Sequence, residues 1–476
     1  MEYEAVIGLE VHIQLLTKTK IFCSCSTDFG AAPNTHVCPV CLGMPGVLPV
    51  LNRQVVEYAI KLALALNGNI NKFSRFARKN YFYPDLPKGY QISQYELPII
   101  TGGYVDAYID GAFKKIGIER IHMEEDAGKT IHKPDGSYVD LNRAGVPLLE
   151  IVSLPVMHSP VEAVAYLKSL KNTVRYLGIC DGNMEEGSLR CDANISIRPV
   201  GEEKLGTKTE IKNMNSFKHI EKALEYEIER QITVLDDGEK VVQQTRLWDE
   251  KKGITKAMRS KEEANEYRYF PDPDLVPLLI DDEWIKRVKA TLPELPKEKF
   301  ERFVKDYKLK EEDAKILTDD KDLADYFEAV SNGYKNPQVV ANWILSELLG
   351  FLNKENKTIK DLLITPNDLQ NLLKLIDNNT ISGKIAKSVF AKMYKTGKKP
   401  ETIIKEDGLV QITDESEIGK IIDSIIANNE KAVQQYKSGK KNTLGFFVGQ
   451  TMKITKGKAN PQIVNKILIR KLEEQQ

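Results

Sequence analysis

The feature that most restricts the fold of this chain is an alternation of apolar and polar residues with a period of two. It runs from the N-terminus to about residue 290 and is interrupted by Gly and Pro turns. Residues 5–15 show it most clearly, with apolar side chains at the odd positions and Glu10, His12 and Gln14 among the even ones. Because alternate residues of a strand lie on the same face, the pattern predicts a large, mainly antiparallel sheet.

Helical patterns interrupt this region and dominate after it. Apolar residues recur at helical spacing over Pro160–Tyr176 and again from Phe217 onward. After a Pro-rich junction the chain has a helical, Lys-rich pattern, with Val339–Leu352 as its most apolar segment. A chain of 476 residues is too long for one core. We therefore predict an α+β protein with a sheet domain followed by an all-α domain and a small α-helical tail domain, at residues 1–292, 293–407 and 408–476.

The C-terminal segment is basic, although the formal net charge of the whole chain is zero. Residues 431–476 contain ten Lys and Arg residues and two Glu residues, a net charge of +8. This favours contact with a polyanion, and a solvated helical surface is the open alternative. The sequence has no apolar run of the ~18 residues that span a bilayer and no targeting pattern at its start. We therefore expect a cytoplasmic protein without membrane contact.

Four of the six cysteines lie in one stretch, as Cys23-X-Cys25 and, after twelve residues, Cys38-X-X-Cys41. Two close pairs separated by a loop suit one tetrahedral zinc ion. With sulfur at all four corners, the metal has no open position for a substrate, so we expect a structural role. Free thiols or a redox pair are the alternatives.

Several other predicted strands also carry charged or polar groups on one face. These groups are Arg190, Asp192 and Asn194; Lys208, Glu210 and Lys212; and Arg120, His122 and Glu124, with Glu125 and Asp126 at the strand end. If these faces converge with that of the strand at residues 5–15, they form an oxygen-rich pocket bordered by cations. Magnesium prefers oxygen ligands, and Lys and Arg suit phosphate oxygens, so the pattern fits phosphoryl transfer. The alternative is the solvated side of an antiparallel sheet.

Other catalytic signatures are absent or weak. The sequence has no Gly-X4-Gly-Lys-Ser/Thr loop and no Gly-X-Gly-X-X-Gly after a strand, so bound ATP would lie on a sheet. Residues 78–91 mix Tyr, Lys and Arg in a loop that could grip an anionic substrate or simply pack on its own tyrosines. Cys180, His219 and Glu221 have the residue types of a glutaminase triad, but the predicted helices around them argue against that interpretation.

The sequence resembles the B subunit of the bacterial aspartyl/glutamyl-tRNA(Asn/Gln) amidotransferase family over its full length. The similar segments are 5–15 (AVIGLEVHIQL), 23–46, 78–91, 118–129 (IERIHMEEDAGK), 140–150 (DLNRAGVPLLE), 189–199 (LRCDANISIRP) and 210–217 (EIKNMNSF). The resemblance implies a cradle domain related to glutamine synthetase-like ligases, then a helical domain and a tail that hold tRNA. It also implies that ATP phosphorylates the side-chain carboxylate of Glu-tRNA(Gln) or Asp-tRNA(Asn). Ammonia made from glutamine on the amidase (glutaminase) partner, the A subunit, would then displace the phosphate, in a heterotrimer completed by the small C subunit.

The resemblance also implies roles for single residues. The implied magnesium ligands are Glu10, His12, Glu124, Asp192 and Glu210. Glu125 is implied as a further ligand or as a residue at the mouth of an ammonia tunnel. Lys79 and Lys88 would guide ammonia or the acyl group, and Arg190 and Lys208 would hold the phosphates of ATP.

Three other functions are open from the sequence. The E subunit of the archaeal glutamyl-tRNA amidotransferase should carry an inserted domain before the helices, whereas this chain passes directly through residues 293–296. A non-catalytic, zinc-stabilised RNA-binding scaffold would not need Glu10, Asp192 and Glu210 in one pocket. A free-standing small-molecule ligase would not need the basic tail.

Overall fold

The computed structural model describes residues 2–258, 267–409, 414–438, 440–455 and 458–473. The chain divides into two compact units, Met1–Glu298 and Lys299–Gln476. The predicted mixed α+β architecture is confirmed, while the division into three domains and the glutamine synthetase-like cradle stay predictions. Lys456 and Glu474, which belong to the basic tail, lie outside the described residues.

The strands belong to the first unit. In chain order they are β1 (Tyr3–Gln14), β2 (Asn69–Ile70), β3 (Phe73–Ser74), β4 (Phe76–Asn80), β5 (Tyr90–Gln94), β6 (Ile100–Thr101), β7 (Tyr104–Ile109), β8 (Ala112–Glu125), β9 (Lys129–Lys133), β10 (Gly136–Asp140), β11 (Pro147–Ser153), β12 (Leu189–Pro199), β13 (Thr209–Lys212), β14 (Gln244–Asp249), β15 (Ile254–Ala257), β16 (Phe270–Pro271) and β17 (Leu278–Leu279). Ten of these described strands form one sheet in the order β15-β14-β13-β12-β1-β11-β8-β6-β2, with β7 also paired to β8. Strands β13 and β14 run parallel, and the other pairs are antiparallel. The predicted large, mainly antiparallel sheet is therefore confirmed.

The helices are distributed over both units. In chain order they are α1 (Arg53–Ala65), α2 (Pro160–Tyr176), α3 (Phe217–Asp236), α4 (Asp282–Lys289), α5 (Pro296–Lys305), α6 (Glu311–Thr318), α7 (Lys321–Ser331), α8 (Pro337–Trp343), α9 (Leu349–Glu355), α10 (Pro366–Asp377), α11 (Gly383–Thr396), α12 (Pro400–Asp407), α13 (Glu415–Ala427), α14 (Glu430–Lys437), α15 (Leu444–Ile454) and α16 (Pro461–Glu473). Both helices predicted in the first unit begin after a capping serine. Ser159 accepts a hydrogen bond from the N–H of Glu162, and Ser216 accepts one from the N–H of His219, which satisfies free N–H groups of the first turn.

The apolar face of β1 lies at the centre of the core of the first unit. Ile7, Val11 and Ile13 are fully buried and share one hydrophobic cluster with residues of α1, α2 and α3. Each such side chain contributes roughly 1.5–3 kcal/mol when it leaves water. Because a strand alternates, covering this face with helices leaves Glu10 and His12 on the opposite face of the sheet.

The second unit is helical in its described residues. The segment predicted as the most apolar helix is confirmed: α8 and α9 are joined by a π-helical turn, Ile344–Leu348. Helices α13, α15 and α16 share a separate hydrophobic cluster that includes Ile422, Phe447 and Leu468. None of the described helices has both the length and the apolar character that crossing a membrane requires.

Candidate functional site

The site is built around β1, which lies between β12 and β11 in the sheet. The register places Glu10 opposite Asp192 and His12 opposite Arg190 of β12. On its other side His12 lies opposite Glu150 of β11. Side chains that lie opposite one another in neighbouring strands share a face, so these strands present their polar residues to one region.

His12 lies within a group of carboxylates. Its Nε2 atom is 3.4 Å from Oε1 of Glu124 and 3.9 Å from a carboxylate oxygen of both Glu10 and Glu150. The ligand atoms of Glu10, His12 and Glu150 all lie within 4.8 Å of one another. Carboxylate oxygens with one imidazole form a donor set that suits a divalent cation. These residues therefore fit a magnesium ion.

Burial and crowding shift the pKa values of this group. Burial alone would lower the pKa of His12, but its hydrogen bond to Glu124 and the charges of Glu124, Glu150 and Glu10 raise it to about 9. Burial and the charges of Glu124 and Glu10 raise the pKa of Glu150 to about 7. Burial would also raise the pKa of Glu124, but the hydrogen bond and charge of His12, together with Lys79 and Ser93, lower it. Without a metal, the imidazolium of His12 therefore neutralises part of the acidic charge.

Asp192 and Glu210 share a lysine. The Nζ atom of Lys212 is 2.5 Å from Oδ2 of Asp192 and 3.1 Å from Oε1 of Glu210. The other oxygen of Glu210 accepts a hydrogen bond from Oγ1 of Thr245 at 2.8 Å. Burial would raise the pKa of Glu210, but Lys212 and Thr245 lower it. Glu210 is therefore ionised and fixed at both oxygens.

Lys79 of β4 lies beside the carboxylates. Its Nζ atom is 4.7 Å from the ring centre of Tyr267 and 6.0 Å from that of Tyr81. Its charge helps to lower the pKa of Glu124 and opposes the rise in the pKa of Glu150. The structure thus places this predicted site residue near the acidic group, on an aromatic support.

Lys88 and Glu125 form a separate pair. The alternation of β8 places Glu125 on the opposite face from Glu124. Its carboxylate accepts hydrogen bonds from Nζ of Lys88 and from the N–H of Ile92. Both members line a cavity of about 230 Å³, together with two cysteines of the four-cysteine cluster. The structure therefore does not bring Glu125 together with His12, and its role as a magnesium ligand stays a prediction.

The two residues predicted at the phosphates differ in their surroundings. Arg190 is held by Asp126, whose Oδ2 atom lies 3.0 Å from Nη2 of Arg190 and accepts a hydrogen bond from Gln14 at 2.9 Å. Lys208 precedes β13 and is exposed, and its charge contributes to the low pKa of Glu210. Phosphate binding by either residue stays a prediction.

The four predicted zinc ligands converge. The Sγ atom of Cys41 is 3.4 Å from that of Cys23 and 3.7 Å from those of Cys25 and Cys38. A tetrahedral site with Zn–S bonds of about 2.3 Å places its sulfurs about 3.8 Å apart, whereas a disulfide needs about 2.05 Å. Lys20, fully buried, lies 3.5 Å from Sγ of Cys41 and can offset thiolate charge. The cluster could therefore bind zinc.

Two residues of this site, Glu150 and Thr245, do not follow from the sequence analysis, and neither does the role of a third, Lys212. Glu150 is the single charged residue in the apolar strand β11. An isolated charge in an apolar strand is the sequence feature from which its role could have been predicted. Lys212 shares the predicted face of Glu210, but the resemblance implies Lys208 instead. Thr245 carried no signal, because the parallel pairing of β14 with β13 cannot be read from the sequence.

The glutaminase interpretation is disfavoured by the structure as well. Helix α2 precedes Cys180, where a nucleophile would need a strand. The Sγ atom of Cys180 contacts the N–H of Gly182 and the carbonyl of Ser188. His219 pairs with Glu250 at 3.1 Å.

Comparison with known proteins gives full-length matches. A family model described as "GatB/GatE catalytic domain" matches residues 5–286, and one described as "GatB domain" matches residues 325–472. The aspartyl/glutamyl-tRNA(Asn/Gln) amidotransferase B subunit of Thermodesulfovibrio yellowstonii is 59% identical over 476 residues, which is 100% of both chains. The protein of the same name from Carboxydothermus hydrogenoformans is 58% identical, and the match covers 99% of both chains. The one from Geotalea daltonii is 60% identical, and the match covers 99% of this chain and 100% of that protein.

Proposed function

The chain belongs to the family of aspartyl/glutamyl-tRNA(Asn/Gln) amidotransferase B subunits, and on this basis we propose that it carries out the amide-forming steps of that enzyme. ATP would phosphorylate the side-chain carboxylate of Glu-tRNA(Gln) or Asp-tRNA(Asn), and ammonia would then replace the phosphate. The ammonia would come from glutamine on the amidase partner, the A subunit. The small C subunit would complete the heterotrimer, which would act in the cytoplasm.

One observation carries this proposal: carboxylates from several strands meet at His12 on the polar face of the large sheet. Glu10, Glu124 and Glu150 lie within 3.9 Å of its Nε2 atom, and Lys79 and Arg190 border them. A magnesium ion held there would neutralise the negative charge that develops on the phosphate oxygens of ATP during phosphoryl transfer. A solvated sheet face has no need to bury Glu124 beside like charges.

The reaction makes chemical sense because a carboxylate is a poor electrophile. In the first step a carboxylate oxygen bonds to the γ-phosphorus of ATP, and ADP leaves. In the second step ammonia bonds to the acyl carbon, the C–O bond to phosphate breaks, and the nitrogen loses a proton. Arg190 and Lys208 are proposed to hold phosphate oxygens, and the carboxylates position the acyl group and the ion.

The Lys88–Glu125 pair is proposed to lie on the path of ammonia. The support is its place in a cavity behind the acidic face, where Glu125 can accept hydrogen bonds from a small donor. Because Lys88 already neutralises Glu125, the pair can pass ammonia without holding it as a charged ion. Two cysteines of the four-cysteine cluster line the same cavity, so zinc is proposed to fix its wall.

The basic tail is proposed to bind tRNA. Its described helices α15 and α16 present exposed Lys453 and Lys466 on a small independent core. Backbone phosphates of RNA are the natural partner of such a surface.

The test uses the chain copurified with its partners and supplied with Glu-tRNA(Gln), ATP, magnesium and ammonium chloride. Ammonium salt bypasses the glutaminase. Gln-tRNA should form with wild type and fall at least ~100-fold with Glu10→Ala and Glu210→Ala, since each removes a ligand charge. Glu225→Ala, an exposed change on α3, is the matched control and should stay active.

Product that survives both substitutions would exclude the acidic face as the site of chemistry. No product with wild type, although tRNA binds, would favour the scaffold function or an Asp-tRNA(Asn) substrate. The same assay with Asp-tRNA(Asn) separates those two. The three relatives reported above are named as B subunits, which favours this assignment over the archaeal E subunit.

A further inference from the structure

Lys212 occupies the space between two proposed magnesium ligands. Its ammonium group lies 2.5 Å from Asp192 and 3.1 Å from Glu210. The group is therefore a fixed cation at the end of the acidic face, beside Asp192, which lies opposite Glu10 in the register of β1 and β12.

A divalent ion competes with Lys212 for these oxygens. Magnesium lies about 2.1 Å from its ligand oxygens, so both cations would lie within a few ångströms and repel each other. Thr245 differs from Lys212 in this respect, because its hydroxyl is neutral and contacts the other oxygen of Glu210. Metal binding at Asp192 and Glu210 thus favours the departure of Lys212, whereas Thr245 can keep its contact.

We propose that Lys212 competes with the divalent ion for Asp192 and Glu210. Lys212 holds these two carboxylates in place until the ion arrives together with an anionic substrate. The inference rests on the proposed function, because it takes Asp192 and Glu210 as ligands. The displaced ammonium needs a new negative partner, and the phosphate oxygens of the nucleotide supply one. The site without nucleotide therefore binds the ion weakly, and nucleotide and ion strengthen each other's binding.

The experiment measures Mn²⁺ binding to the assembled protein by electron paramagnetic resonance, without nucleotide. Lys212→Met should bind Mn²⁺ at least ~10-fold more tightly than wild type, because a positive charge has gone. Lys212→Arg, which keeps the charge, should remain close to wild type. Thr245→Val, which loosens Glu210 without changing charge, should bind Mn²⁺ no more tightly than wild type.

Two further readouts separate this role from a structural one. The KM for ATP should rise in Lys212→Met although its Mn²⁺ affinity has risen, since the phosphates lose a partner. The melting temperature of the metal-free variant should fall, because Asp192 and Glu210 lose the counter-ion that both contact, and saturating Mn²⁺ should restore it. Lys212→Gln serves as a second neutral variant if the methionine variant does not fold.

Unchanged or weaker Mn²⁺ binding in the neutral Lys212 variants would overturn the inference. Equal tightening in Thr245→Val would also overturn it, because loosening of Glu210 would then explain the gain. Glu210→Gln is the check on the premise and should weaken binding. If Glu210→Gln does not weaken Mn²⁺ binding, Glu210 is not a ligand, and both the proposed metal site and this inference are wrong. If Glu210→Gln weakens binding but the neutral Lys212 variants do not tighten it, only the competition by Lys212 is wrong.

Discussion

Replacing Glu150 with Gln should stabilise the metal-free protein while weakening its response to magnesium. The Glu150 carboxylate shares the space around His12 with Glu10 and Glu124. Burial and these like charges raise its pKa from 4.5 to about 7. This corresponds to at most about 3 kcal/mol of unfavourable interaction in the ionised form.

The sign of the effect depends on pH. The pKa of Glu150 is higher in the folded protein than in the unfolded chain. The protein is therefore most stable, as far as Glu150 is concerned, below pH 4.5, and it loses this part of its free energy of unfolding as the pH rises through about 7 and the buried carboxylate ionises. Glutamine imitates the protonated form. The variant should therefore match wild type near pH 4.5 and exceed it in free energy of unfolding by up to about 3 kcal/mol at about pH 8.

The assay is urea unfolding with a chelator present, over this pH range, with Glu225→Gln as the exposed control. A parallel titration follows the melting temperature against magnesium. Wild type should gain more from magnesium than Glu150→Gln, since two unit charges 4 Å apart interact by about 4 kcal/mol at an effective dielectric constant of about 20. A variant that is less stable than wild type at about pH 8 without metal would refute the reasoning.

Three other changes test separate parts of the account. Glu125→Gln should lower the glutamine-driven rate at least ~10-fold and spare the ammonium-driven rate; an equal loss of both would make Glu125 a ligand instead. Cys41→Ser should remove zinc, measured by metal analysis, and lower the melting temperature by several degrees; full zinc content would contradict the cluster. Glu227→Gln should cost about 3 kcal/mol, because the buried carboxylate accepts hydrogen bonds from Arg230 and Thr255. Burial would raise the pKa of Glu227, but these partners lower it. The difference in free energy of unfolding between wild type and the variant should therefore shrink as the pH falls below about 4.5. A difference that does not depend on pH would contradict this explanation.

The sequence was informative where one strand or helix determines its own environment. The alternation of residues 5–15 predicts both the buried face and the position of Glu10 and His12, since side-chain direction in a strand needs no partner. The helix predicted over Pro160–Tyr176 has those same ends in the structure, because Ser159 and Pro160 define a helix start.

Prediction was weaker where function depends on which strands are neighbours. Glu150 enters the site only because β11 lies between β1 and β8, a sheet order that local patterns do not encode. The same holds for Thr245, which reaches Glu210 through a parallel pairing over a long connection. Glu125 shows the opposite case. It is next to Glu124 in the sequence, but neighbouring residues of a strand lie on opposite faces, so Glu125 does not join the group around His12.

The most direct test of the central claim follows an oxygen atom. Glu-tRNA(Gln) carrying ¹⁸O in both side-chain carboxylate oxygens is converted with ATP, magnesium and ammonium chloride, and the released phosphate is analysed by mass spectrometry. Activation by phosphorylation predicts one ¹⁸O in the inorganic phosphate for each Gln-tRNA formed, and none when Glu10→Ala replaces wild type, because no phosphate is then released. Unlabelled phosphate from the active enzyme would contradict the account, since the carboxylate oxygen would then have left by another route.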